Sequence, residues 1–273
     1  MKYNKSISST EGLFLNRLNE MGKNWFCLED ACIIMKEKKR GTVCVMINKM
    51  VGKGLLMKIR KEYYWVVPFE QDAKDYLPNW HLLAEPLVGN QRYYIGYYSA
   101  LQIHGLITQP SLKEQIVREQ PKTQHYILNG VDFQLISHNK KHFFGYKNVW
   151  VDSFNKVSCS DLEKTFVDCL FKPNYAGGIV EVGKALWMAK EQLDYDKLLK
   201  YVKQFGNQAV VKRLGYLLDA LNITNSIAAE LKKMRSTSIS PLDVKVSNKG
   251  KVNTKWNIIQ NVDIKTIINA INN

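Results

Sequence analysis

Within the first 67 residues, three stretches at helical spacing are followed by two β-rich runs only two residues apart, and few small folds accommodate that order. Ser8 with Glu11 three residues on forms a capping box, and Phe14, Leu15, Leu18 and Met21 then recur at helical spacing until Gly22. Leu28 to Met35 holds Ala31, Cys32 and Met35 at the same spacing, after which Glu37-Lys38-Lys39-Arg40-Gly41 reads as a tight polar turn. From Thr42, the apolar residues Val43, Met46, Ile47, Met50 and Val51 mark one face of a third helix, stopped by Gly52 and Gly54. Leu55 to Arg60 and Tyr63 to Val67 are strand-like, with Lys61-Glu62 between them at hairpin spacing. Three helices and a β-hairpin in this order predict a winged helix-turn-helix.

In such a module the second helix of the turn lies in the major groove with its N-terminal residues against the bases. Lys38, Lys39 and Arg40 stand at that N-terminus, and Thr42, Val45, Asn48, Lys49 and Lys53 are expected to face outward along the groove. There Asn and Thr read base edges and Lys reaches phosphate or guanine. Lys58, Arg60 and Lys61 crown the hairpin, where a basic wing adds salt-sensitive affinity for phosphates. Charge supports a polyanionic partner: 39 Lys and Arg against 25 Asp and Glu leave +14. Residues 1–67 hold 13 of those cations and 6 of the acids, so a quarter of the chain carries half the net charge.

With 45% hydrophobic and 23% charged residues, the composition excludes wholesale disorder, collagen and coiled coil. Five cysteines without a CxxC pair argue against a disulfide framework and a structural zinc site, which fits a reducing cytosol. The polar start Met1-Lys2-Tyr3-Asn4-Lys5-Ser6 predicts no signal peptide. The longest apolar stretch, Tyr93 to Ile107, falls short of the roughly 20 residues that span a bilayer, so a cytoplasmic protein without membrane contact is expected.

Pro68 and the charged run after it suggest a linker over 68–78, leaving 79–273 as a second domain. Residues 79–107 read as helical, broken at Gly89. Short apolar or alternating runs then extend from Ile116 to Val157, with hairpin signals at Asn129-Gly130 and His138-Asn139-Lys140-Lys141. Helices resume at a capping box from Ser160 to Glu163 and continue over 178–191, 194–205 and 207–221. The expected fold class is α+β: an N-terminal winged helix-turn-helix, then a mixed domain with a small antiparallel sheet flanked by helices.

No catalytic constellation, metal site or cofactor emerges, and a non-enzymatic role is expected. Asp194 and Asp196 precede a helix and read as caps rather than metal ligands. His138 and His142 have the i, i+4 spacing of a metal pair, but a hairpin loop separates them and no third ligand lies nearby. Gly177-Gly178 lacks the phosphate-loop patterns. His104 reads as a packed core histidine, and Tyr93, Tyr94, Tyr97 and Tyr98 either stack on bases or pack a domain junction. Lys184, Lys190, Lys197, Lys200, Lys203, Lys212 and Arg213 form either a second basic surface that extends the DNA footprint or an ordinary solvated face.

Tyr93-Tyr94-Ile95 and Ser99-Ala100-Leu101-Gln102-Ile103-His104-Gly105-Leu106, following a winged helix, resemble the AbiEi abortive-infection antitoxins, also described as predicted regulators of viral defence. Ser160 to Thr165 with Asp168, Ala176-Gly177-Gly178 and Ala185-Leu186-Trp187 are similar to that family's central block. Asp194 to Leu199, Gly206-Asn207 and Lys212 to Leu218 are similar to its helical end, and Pro241-Leu242-Asp243 and Lys255 to Ile259 to its closing strands. The likeness spans nearly the whole chain; it departs at Lys61-Glu62-Tyr63, where the family's wing often has glycine. The resemblance implies the antitoxin of a type IV toxin–antitoxin pair, repressing its own operon by binding double-stranded DNA at inverted repeats. It also implies a nucleotidyltransferase-like toxin, countered without a stable complex. A solitary regulator without a toxin and an enzyme acting on nucleic acid or nucleotides are the alternatives.

Overall fold

Ser8 caps the first helix in the way its spacing from Glu11 predicts: its hydroxyl accepts the Glu11 amide, and the Glu11 carboxylate accepts the Ser8 amide at 2.7 Å. The computed structural model describes residues 5–107, 109, 111–119 and 122–272, so Met1 to Asn4, from which the absence of a leader was read, lie outside the described residues. Helix α1 (Ser9–Glu20) is followed by strand β1 (Trp25–Cys27), helices α2 (Leu28–Ile34) and α3 (Arg40–Gly52), and strands β2 (Leu56–Arg60) and β3 (Tyr63–Val66). The strands pair antiparallel in the order β1-β3-β2, with Trp25 opposite Trp65. Phe14, Leu18, Phe26, Met35, Val43, Ile47 and Met50 close a core between helices and sheet, with Phe14 and Phe26 packed edge to face at 5.0 Å.

This first compact unit runs to Gln91 and takes in Tyr126–Asp132. Residues 68–78 are therefore part of it rather than a linker, and residues 79–91 belong with it rather than with a second domain. The reason is local bonding. Lys5 Nζ donates to the Pro68 carbonyl at 3.1 Å, Arg60 Nε donates to the Pro86 carbonyl at 2.8 Å, and Asn129 Nδ2 donates to the Tyr76 carbonyl at 2.6 Å. A 3₁₀ turn (Trp80–Leu83) and helix α4 (Ala84–Val88) bury Leu83, Ala84, Leu87 and Val88. At Gly89, with φ of 75°, a Cβ would lie 2.6 Å from the Arg60 guanidinium, so only glycine fits.

The second unit, Arg92–His125 and Phe133 onward, holds β4 (Tyr93–Ile95), α5 (Tyr97–Ile103), β5 (Lys113–Arg118), β8 (Tyr146–Trp150) and β9 (Lys156–Ser160); of the hairpin strands β6 (Gln124–Leu128) and β7 (Val131–Ser137), residues 126–132 belong to the first unit. The six strands are ordered β6-β7-β5-β4-β9-β8, with β4 and β9 parallel, so the sheet is mixed rather than antiparallel. Tyr93–Ile95 is an inner strand, not helix: Tyr94 and Ile95 are both fully buried, and an inner strand's apolar run is not told from a buried helix by periodicity. Asn129 and Gly130 both take positive φ, 43° and 84°, as a two-residue hairpin of that sequence demands.

Helices α6 (Leu162–Phe171), α7 (Ile179–Ala189), α8 (Tyr195–Phe205), α9 (Gln208–Ala220) and α10 (Ala228–Met234) form the helical part of this unit. The cap of α6 is Asp161 rather than Ser160, whose hydroxyl instead bonds Thr165 at 2.7 Å. A small sheet of β10 (Ser240–Pro241), β11 (Lys251–Asn253) and β12 (Ile258–Gln260) and a last helix, α11 (Ile264–Asn272), close the chain. Among the described residues, no helix is long and apolar enough to cross a membrane. The whole is a mixed α and β fold.

Candidate nucleic-acid interface

Helix α3 turns Val43, Met46, Ile47 and Met50 into the core, and that spacing leaves Thr42, Val45, Asn48 and Lys49 exposed along the opposite face. From Lys38 to Lys61 the chain carries eight Lys and Arg and no Asp or Glu, a basic run bounded by Glu37 and Glu62. Lys39, Arg40, Lys49, Lys58 and Lys61 are exposed and Lys38 is half-buried. Of the two bounding acids, Glu62 has its carboxylate 3.6 Å from Arg40, while Glu37 pairs with Arg17 at 2.9 Å. Glu62 is also the hairpin's turn residue, with φ of 65°.

Two expected contact residues are used elsewhere. Lys53 Nζ lies 2.9 and 2.7 Å from the two carboxylate oxygens of Glu11, which is only 3% exposed. Burial alone raises the Glu11 pKa, but Lys53 and the Ser8 amide outweigh it and hold this carboxyl below its usual range. Lys53 thus ties α3 to α1 instead of facing a groove. The Arg60 guanidinium stacks on Tyr63 at 3.5 Å while its Nε holds the Pro86 carbonyl, so it buttresses the hairpin from within.

The second basic surface contracts in the same way. Lys212 and Arg213 are buried in α9, where every residue from Val210 to Leu218 is buried. Lys212 donates to Ser238, and Arg213 donates to the carbonyls of Leu170, Phe171 and Pro241 at 2.7 to 3.2 Å. Burial pulls the Arg213 pKa down to about 10 and lowers that of Lys212. Lys197 pairs with Glu163 at 2.7 Å and Asp161 at 3.1 Å, which more than offsets its desolvation and raises its pKa. Lys190 lies over the Trp187 ring at 4.1 Å and, like Lys184, is half-buried; Lys200 and Lys203 are exposed.

The second unit also holds a buried polar network that spacing alone did not reveal. Tyr94 Oη donates to Asp168 at 2.9 Å, and Lys164, one turn earlier on α6, bonds both Asp168 and, at 3.0 Å, Tyr94. Tyr97 Oη and His138 Nε2 are 2.6 Å apart, and all five side chains are at most 5% exposed. Burial, reinforced by Lys164, drives the His138 pKa down to about 2, so it is neutral. Burial raises the Asp168 pKa and lowers that of Lys164, each opposed by the partner's charge. Tyr94 and Tyr97 are therefore closed to bases.

His142 stacks on Phe205 at 3.7 Å and donates to the Phe205 carbonyl, and its ring meets that of His138 edge to face at 6.1 Å between centroids. Among the described residues, no group of three or more His, Cys, Asp or Glu is placed to hold a metal ion. His104 is half-buried and donates to the Ser160 carbonyl at 2.9 Å. Asp194 caps α8 by accepting the Lys197 amide. The α7 N-terminus after Gly177-Gly178 is occupied by the buried Asp243 carboxylate, which accepts the Ile179 amide at 2.8 Å.

No family model matches the chain, and the search of curated proteins finds no match. Among solved structures, the chain is similar to the crystal structure of the RV2827C protein from Mycobacterium tuberculosis. The TM-score is 0.68 at 14% identity, covering 99% of this chain and 97% of that one. The likeness is one of fold, and it extends over both units.

Proposed function

We propose that the first unit contains a winged helix-turn-helix and that this protein is a cytoplasmic DNA-binding repressor of its own operon. Following the AbiEi resemblance, it is also the antitoxin of a type IV toxin–antitoxin pair that serves in phage defence. The observation that carries the DNA reading is the α3 face: Thr42, Val45, Asn48 and Lys49 exposed, flanked by Lys39, Arg40, Lys58 and Lys61 in a segment without acids. Asn48 has the donor and acceptor to read adenine, while the lysines supply phosphate contacts that fix register. The order of three helices and three strands, with β1 paired to β3, supports the winged-helix reading. The antitoxin role rests on the resemblance, as does a nucleotidyltransferase-like toxin countered without a stable complex.

A promoter-reporter assay with the region upstream of the gene tests the first part. Repression by the full chain and its loss in the Asn48→Ala, Lys49→Ala double variant is the expected result; equal repression by both contradicts the interface. For the second part, the chain is co-expressed with a neighbouring nucleotidyltransferase-like gene. Restored growth supports the antitoxin, whereas undiminished toxicity, or no such neighbour, leaves a solitary regulator.

A further inference from the structure

On β5, Lys113 and Gln115 share a face with Val117, and on β7, Gln134 shares one with Ile136. Val117 and Ile136 belong to the main core, so the sheet face that is apolar under the helices turns polar beyond them. There it opens into a cleft of about 590 Å³, with Tyr98, His125, Tyr175, Glu181 and Lys245 among its other walls. That volume lies within the range of roughly 300–1,000 Å³ typical of small-molecule sites.

The walls are held by three devices. Gln115, 4% exposed, accepts the Tyr98 amide at 2.9 Å and donates to the Tyr175 carbonyl at 2.7 Å, so one buried side chain fixes the backbone of both aromatic residues. Tyr97 sits at φ 54°, an unusual conformation for a bulky residue; its ring enters the core against His138 while Tyr98 joins the cleft. Gly177, at φ 79°, keeps the space between walls open: a Cβ there would lie 2.9 Å from the Glu181 side chain and 3.4 Å from the Tyr98 ring. Burial, then Glu181, raises the Tyr98 pKa, so its phenol stays protonated.

The chemistry of the lining is selective. Lys113 and Lys245 favour an anion, whereas Glu181 repels a bare one and accepts hydroxyl hydrogens, as acids do from ribose. Tyr98 and Tyr175 offer rings for stacking, and the Gln134 amide suits the edge of a nitrogen heterocycle. The geometry points to this cleft as a binding site for a free nucleoside monophosphate, with its base on the tyrosines, its ribose on Glu181 and its phosphate on Lys113 and Lys245. The site lies wholly in the second unit, and its existence does not depend on DNA binding by the first.

Isothermal titration calorimetry of the full chain tests this, using the four ribonucleoside monophosphates, their nucleosides, ribose 5-phosphate and inorganic phosphate as titrants. At least one monophosphate is expected to bind with a Kd of about 100 µM or below, at least about tenfold tighter than its nucleoside, ribose 5-phosphate or inorganic phosphate. Lys113→Ala with Lys245→Ala, both exposed positions, is expected to remove the advantage over the nucleoside, and Tyr175→Phe to retain it. No heat with any monophosphate at millimolar concentration overturns the proposal. So does phosphate binding as tightly as the nucleotide, or affinity unchanged in the double lysine variant.

Discussion

In the proposed DNA complex, Asn48 and Lys61 stand for the two ways in which a side chain contributes, base reading and phosphate contact. Both are exposed, one at the middle of α3 and one at the hairpin turn. Asn48→Ala is expected to relax sequence preference at one position, costing about 1–3 kcal/mol on the preferred site and little elsewhere. Lys61→Ala is expected to weaken all duplexes alike and to lower the salt slope by about one. Lys53 is different: replacing it with Met leaves the buried Glu11 carboxylate without its partner, an expected loss of about 1–3 kcal/mol in chemical unfolding. Because Glu11 has a depressed pKa when folded, its contribution is complete at neutral pH and is lost progressively as the pH falls from the usual carboxylate range through its lower folded pKa.

His138 sets a separate acid limit. Its folded pKa of about 2 lies far below the ordinary 6.5, so the unfolded chain takes up a proton there that the native state refuses. Stability from this group is complete above about pH 6.5 and falls as the pH drops, by about 2 kcal/mol at pH 5. Thermal melts at pH 7 and pH 5 are expected to show this drop, reduced in His138→Gln. The same network predicts that Lys164→Met, which strands Asp168, costs about 3–5 kcal/mol, and that adding Asp168→Leu recovers most of it. Lys53 and Arg60 read as groove and wing contacts, and Lys212 and Arg213 as a second basic surface or a solvated face, because their partners, Glu11 and distant backbone carbonyls, are 26 to 43 positions away.

At the scale of elements, helices α1 to α3 and the β2–β3 hairpin were legible, because each has one buried face and a capping or turn residue that marks its end. Strand β1 was not, since three residues carry no period, nor was β4, whose buried apolar run has no alternation to tell it from a helix. Helix α9 is buried around its circumference, so no pattern of polar positions marks its surroundings. That burial has a test. Gly215 faces Trp256 so closely that a Cβ would lie 2.2 Å from the indole, whose Nε1 donates to Asp219 at 2.6 Å. Gly215→Ala is expected to dislodge Trp256 and cost at least about 1–3 kcal/mol, read as a lower midpoint in urea.

For the whole molecule, the two units divide the chemistry: exposed cations and the exposed α3 face proposed to read bases in the first, a buried ionic network and a polar cleft in the second. The exposed positions of α3 were legible, since outward positions on a one-sided helix follow from its period, while the cleft was not, being assembled from residues between 98 and 245. The central claim is that α3 reads duplex DNA. It is tested most directly by a salt-series mobility shift, comparing the full chain with its Asn48→Ala, Lys49→Ala double variant on upstream DNA and on random duplex. The account predicts selective, steeply salt-dependent binding by the full chain, with selectivity lost and the slope reduced by about one in the variant. Equal affinity for both duplexes, or a variant that binds like the full chain, would contradict it.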